Sequence, residues 1–273
     1  MEYKTFEPSP DLKTFIKCYW HLRVPKELPK EKQQILPDGC IEMIFNLGDD
    51  IKRYITEDKY VIQPSSFILG QISKPYFVEP TGFVDSFAVR FFPGGFSHFI
   101  NRSVADLADK DTELKDIFDE NNVTALELKI NQASDSSERI KIIEDFLFDM
   151  LKQHVNIDDL IKSTVDTIYQ TKGSIGVKKI LEGNQEKRRQ LERKFSKKVG
   201  LNPKQLCRII RLQASLQSML GDKQKKLTSV GYESEYFDQS HFIKDFKDFT
   251  GISPKEFYED QKFLLSSVLY KKD

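Results

Sequence analysis

At 273 residues the chain exceeds one typical domain, and its 39% hydrophobic and 31% charged residues are those of a globular protein. No stretch approaches the roughly 18 consecutive apolar residues of a membrane span, and the opening MEYKTFEPSPDLK lacks the apolar core of a secretory leader. Cys18, Cys40 and Cys207 are widely spaced and form no CxxC pair, and His21, His98, His154 and His241 lack a ligand-like cluster. This argues against a disulfide framework, a metal and a cofactor, and for a cytoplasmic protein that meets no membrane.

The first hundred residues read as β-structure. In GFVDSFAVRFF, Phe83, Asp85, Phe87, Val89 and Phe91 alternate with Val84, Ser86, Ala88 and Arg90, the period of a strand. CIEMIFNLG separates Ile41, Met43 and Phe45 from Glu42, Ile44 and Asn46, and YVIQ, SFILG and YFVEP are shorter runs. Turn signals at Pro37-Asp38-Gly39 and Pro93-Gly94-Gly95 punctuate them, which predicts a small barrel or sandwich. After residue 102 the period lengthens. Ile140, Ile143, Leu147 and Met150 mark an amphipathic helix, which offers either an internal core face or a homodimer contact. From residue 155 onward helices are predicted around Leu160, Ile161, Val165 and Ile168, then over 177–181, 187–199, 203–220, 227–232 and 238–250, with an apolar tail through Leu269. The expected fold class is α+β: a β-rich domain over 1–152, then an all-α domain over 155–262.

The two halves differ in charge. Residues 1–150 carry 18 basic and 26 acidic residues, a net of −8; the remaining 24 and 16 give +8. A solvated charged face would explain such an excess, as would a polyanionic partner for the second half.

That second half also repeats itself. QLERKFSKKVGLNPKQL is answered by HFIKDFKDFTGISPKEF, so that Leu191, Phe195, Gly200, Pro203 and Lys204 return 51 residues later as Phe242, Phe246, Gly251, Pro254 and Lys255. In each copy an apolar pair one turn apart fixes a helix to its core. A glycine then closes the helix and a proline opens the next. Each copy reads as a short helix, a turn and a longer second helix. The face opposite the apolar pair carries Arg188, Arg189, Glu192 and Arg193 in the first copy, and Gln239, Ser240, His241 and Lys244 in the second. These side-chain types reach base edges and phosphates from a helix N-terminus. Residues 184–211 hold ten basic and two acidic residues, whereas Asp238, Asp245 and Asp248 dilute the second copy. Asp238 suits a helix N-cap.

YFDQSHFIKDFKDFTGISPKEF and KRRQLERKFSKKVGLNPKQL resemble the paired units of the AraC family of bacterial transcription regulators, over about residues 155–262. The resemblance implies a seven-helix domain with two helix-turn-helix units joined by one long helix. Their recognition helices enter successive major-groove segments of double-stranded DNA. It places DNA contacts on Arg188, Arg189, Gln190, Glu192, Arg193 and Lys197, then on Gln239, Ser240, His241 and Lys244, and gives Arg211 a structural role. The chain departs from the family pattern in three places. Leu181 replaces a small residue, Gln185 and Glu235 stand where turn glycines are usual, and Lys187 stands at a cap. CYWHLRVP, LPDGCIEMIFNLG and VRFFPGGFSHFI resemble the β-rich sensor domain that precedes such units, which implies an unknown small-molecule effector. Trp20, Asp38, Glu42 and Arg90, with Tyr19, are candidates for its pocket; core packing and a simple turn are the competing roles. No GxSxG, P-loop, HExxH or GxGxxG motif supports an enzyme. The alternative is a protein-interaction module whose basic helices bind an acidic partner such as RNA polymerase.

Overall fold

The period-two runs of the first hundred residues become antiparallel sheet in a computed structural model, which describes residues 1–27, 31–151, 158–176, 185–222, 226–236 and 238–257. Among these lie β1 (Glu2–Phe6), β2 (Ile16–Val24), β3 (Gln33–Ile35), β4 (Ile41–Asn46), β5 (Ile51–Tyr54), β6 (Tyr60–Ile62), β7 (Ser66–Leu69), β8 (Tyr76–Pro80), β9 (Val84–Phe91) and β10 (Asp111–Glu113). A six-stranded sheet runs β1-β2-β9-β4-β7-β10, and a four-stranded sheet runs β3-β8-β5-β6.

All eight residues of β9 are buried, so its alternation separates two interiors rather than core from water. Phe87, Val89 and Phe91 join Tyr19, Met43, Phe45 and Ile68 on one face. That face is covered by α1 (Glu120–Gln132) and α2 (Ser136–Leu151) through Val123, Leu126, Ile130, Ile143 and Leu147. The apolar stripe of α2 is thus largely internal packing. Val84 and Ala88 point the other way, with Trp20, Ile44, Phe67 and Leu69, toward Ile35 and Val78 of the second sheet.

This second interior contains buried charge. Arg90, 1% exposed, donates from Nε to Glu42 Oε1 at 2.6 Å and lies 3.6 Å from Asp38 Oδ2. Trp20 Nε1 donates to the same Glu42 oxygen at 3.1 Å. Burial pushes the Glu42 carboxyl above its usual range, with Arg90 opposing.

The helical half contains α3 (Asp159–Gln170), α4 (Gln185–Val199), α5 (Pro203–Gly221), α6 (Leu227–Glu233), α7 (Gln239–Thr250) and α8 (Pro254–Phe257). Gly200 and Gly251 take φ of 86° and 77°, and Pro203 and Pro254 open the next helices, as the repeat requires. A capping box starts α5: Gln205 N–H donates to Asn202 Oδ1 at 2.9 Å, and Asn202 N–H to Gln205 Oε1 at 3.0 Å. The helix predicted over 177–181 and the tail beyond 257 lie outside the described residues. Leu206, Ile209 and Ile210 of α5 continue the apolar cluster that begins between the sheets, so one core runs through both halves.

Replacing Arg90 by methionine leaves Glu42 buried without its cation and is expected to cost about 3–5 kcal/mol at pH 7. Glu42 protonates more readily folded than unfolded, so stability lost with Arg90 returns as pH falls toward the carboxylate range. Urea denaturation at pH 7 and pH 5 checks both; a deficit that ignores pH contradicts the assignment.

Candidate nucleic-acid interface

The α4 helix places Leu191, Phe195 and Val199 on one stripe, each 0% exposed. The opposite face leaves Arg188, Arg189, Gln190, Arg193 and Lys197 in water. Two charges there are engaged: Arg188 Nε donates to Glu192 Oε1 at 2.9 Å, and Lys194 Nζ to Asp158 Oδ2 at 2.9 Å. Glu192 is half-buried and held by Arg188, so Arg189, Gln190, Arg193 and Lys197 are the clearer outward groups.

The α7 helix repeats the design. Phe242 and Phe246 are fully buried, their rings edge to face at 5.8 Å, and Phe246 meets Phe257 at 5.5 Å. Asp238 caps the helix, its Oδ1 accepting from His241 N–H at 2.8 Å. That bond, with the His241 ring beside it, holds the Asp238 carboxyl below its usual range. Gln239, Ser240, His241 and Lys244 are all exposed. Ile243 and Lys247 share this exposed surface, and Tyr232 of α6 is 84% exposed; none of the three was singled out from sequence.

The carboxylates that seemed to dilute this unit are answered from the joining helix. Arg208 of α5 reaches both Asp245 Oδ1 and Asp248 Oδ2 at 2.8 Å, and Arg211 Nη2 lies 3.6 Å from Asp245 Oδ2. Burial works against the Arg208 charge, yet its two acidic partners outweigh it and raise its pKa. Arg211 also stacks 5.2 Å over the Tyr236 ring, the structural role expected of it. The outward face of α7 therefore has a positive balance from Lys244 and Lys247.

The turns differ in how they meet their departures. Glu235 takes φ of 59°, the left-handed value that glycine adopts without strain. Gln185 instead begins α4, so the cap expected at Lys187 is corrected: that residue lies within the first turn. With no Ser, Thr, Asn or Asp at 187 to stop it, and with Glu186 favoured at a helix start, the helix extends two residues earlier.

In the β-rich half, Trp20, Asp38, Glu42 and Arg90 do come together, but as one another's partners in the interior. Their polar groups bind one another, and Asp38 also lines a cavity with Phe92, Tyr169 and Lys172. Tyr19 faces the opposite interior, its hydroxyl donating to Glu144 Oε1 at 3.2 Å. A cavity of about 400 Å³ lies elsewhere, between the two halves, where Phe15, Phe92 and His98 face Ile161, Val165 and Tyr169 of α3 and Lys198 of α4.

Residues 186–260 match the model of the helix-turn-helix domain family. The C-terminal part of the chain is an AraC-type helix-turn-helix domain. That match supports DNA binding and transcription regulation by this part of the chain. Residues 4–113 match a domain family of unknown function. No curated protein matches the chain. Among solved structures, ToxT from Vibrio cholerae is similar at 14% identity and a TM-score of 0.47, over 94% of this chain and 98% of that one. ToxT from Vibrio cholerae O395 bound to (E)-4-(8-methylnaphthalen-1-yl)but-3-enoic acid gives 15%, 0.46 and the same coverages. Unsaturated fatty acid bound wild-type ToxT from Vibrio cholerae strain SCE256 gives 16% and 0.43, over 87% and 92%. Among the described residues no helix is long and apolar enough to cross a membrane.

Alanine at Arg208 frees Asp248 and leaves Asp245 with Arg211, beside Lys244, and is expected to weaken DNA binding severalfold in fluorescence anisotropy. Adding Asp245→Asn and Asp248→Asn should recover it. An unchanged affinity would show that the neutralisation contributes nothing.

Proposed function

We propose that this regulator reads duplex DNA in a sequence-specific way, with α4 and α7 in successive major-groove segments about 34 Å apart on one face. The observation that carries the reading is the division of each helix. Aromatic stripes are consumed by the domain core, while Arg189, Gln190, Arg193 and Lys197, then Gln239, Ser240, His241 and Lys244, stay in water. Arg189 and Arg193 read or clamp one segment, and His241 with Lys244 the next. The functional division follows residues 1–152 for sensing and 155–262 for DNA, in a cytoplasmic protein.

Binding that rests on phosphate contacts falls steeply with salt, with a log–log slope of several units. Arg193→Ala is expected to cost about 1–3 kcal/mol of operator affinity. Gel shifts with competitor DNA check this; unchanged affinity would misplace the first recognition helix. Weak salt dependence and no sequence preference would favour the acidic protein partner, RNA polymerase among them.

The sensing role is best supported by the cavity between the halves. Its lining of Phe15, Phe92, Ile161, Val165 and Tyr169 also carries Asp158 and Asp166, which are paired with Lys194 and Lys162, and Lys198 at one side suits a small apolar acid. Burial, then the nearby Lys198, lowers the His98 pKa and favours a neutral imidazole there. At 100 times its Kd such an effector stabilises the protein by about 2.7 kcal/mol. A thermal-shift screen of aliphatic and aromatic acids should show the gain in wild type and lose it in Lys198→Ala; no shift with any acid contradicts the assignment.

A further inference from the structure

We propose that the N-terminal domain is a positioning element for DNA recognition, latching the two recognition helices at a fixed relative setting. This rests on the two-helix reading above. Three contacts carry it, one at each part of the reading frame. Gln213 of α5, 9% exposed, donates from Nε2 to the Pro37 carbonyl at 2.6 Å. Gln34, 4% exposed, donates to the carbonyl of Thr250, the last residue of α7, at 3.3 Å. Gln71, fully buried, lies under Gly200 at the end of α4, where an added Cβ would stand 3.0 Å from Gln71 Cγ and 3.3 Å from Val104.

The same Gln71 braces the turn that α5 rests on, donating from Nε2 to the Gly39 carbonyl at 2.6 Å. Gly39 itself has φ of +80°, and a Cβ there would stand 2.8 Å from Leu206 Cδ1. Between Pro37 and Gly39, Asp38 accepts from Cys40 N–H at 2.9 Å and faces Arg90. The turn is therefore fixed to the buried charge network on one side and seated on α5 on the other.

These contacts reach the C-terminal ends of α4 and α7 and the middle of α5, and leave every outward DNA-contact candidate exposed. The docked arrangement thus leaves those side chains open to solvent. The 19-residue α5 spans about 28 Å and sets how far apart the two units lie. Contacts to both ends fix their tilt as well. A reader held in its bound geometry loses less conformational freedom on binding, which favours one segment spacing over others.

The test uses the full chain with Gln34→Met/Gln213→Met, which keeps side-chain length and removes both donors, and separately Gly39→Val. Affinity is measured on the preferred duplex and on duplexes with about two base pairs inserted between the segments. Exposure of Cys40, 2% exposed and beside Tyr169 of α3, reports undocking through its reaction with a disulfide reagent. Wild type should prefer its own spacing about tenfold or more with Cys40 protected. Both variants should expose Cys40 and cut that preference to about threefold or less, chiefly by losing affinity at the preferred spacing. Returning Gln213 alone should restore part of it. The latch is overturned if Cys40 becomes reactive while the preference stands, if affinity at the preferred spacing rises, or if Cys40 stays protected in both variants. A wild type with sequence preference but no spacing preference overturns the latch alone; one with neither sinks the two-helix reading itself.

Discussion

Both α4 and α7 must hide one stripe of large apolar side chains and still keep the opposite face wet. The rest of the molecule follows from that constraint. Phe195, Phe242 and Phe246 are too large to leave exposed, and full burial of each is favourable by roughly 1.5–3 kcal/mol. Their burial rotates α4 and α7 so that Arg189, Arg193, His241 and Lys244 face outward. The glycine and proline after each helix then set its end without adding bulk at the turn. A basic face is thus a by-product of a core requirement repeated twice in one chain.

Electrostatics complete the second copy. Counted along the sequence, α7 has two acids against two lysines, with a third acid at its cap, which is poor chemistry for a polyanion. Counted in space, Asp245 and Asp248 belong to Arg208 and Arg211, and Asp238 belongs to the helix's own N–H groups. The joining helix therefore links the two units and also removes the negative charge that the second would present. The N-terminal half shows the same economy with charge. Glu42 and Arg90 meet in an interior where either alone would be costly, and Asp38 connects that pair to the turn seated on α5.

Local signals were legible; partners across the chain were not. The bounds of α5 and α7 follow from caps and period, because a cap residue and its first turn are neighbours in sequence. The helix α1 carries similar marks, Asp119 as cap and Val123, Leu126 and Ile130 at helical spacing, but they are diluted by the polar residues between them. The strand β9 was recognised by its alternation. That its polar face meets a second core could not be read, since the partners of Ser86 and Arg90 are Asn46 and Glu42, some forty residues away. The left-handed Glu235 was visible only as a departure from a glycine pattern. For the DNA-contact face the residue types were legible, whereas the pairing of Arg188 with Glu192 and of Arg208 with Asp245 depends on rotamers and helix crossing.

Hydroxyl-radical footprinting of the wild-type protein on its preferred duplex tests the central claim most directly. Two helices set into successive major-groove segments should give two protected windows about one helical turn apart on the same face of the DNA. A single window, or two on opposite faces, would contradict the account.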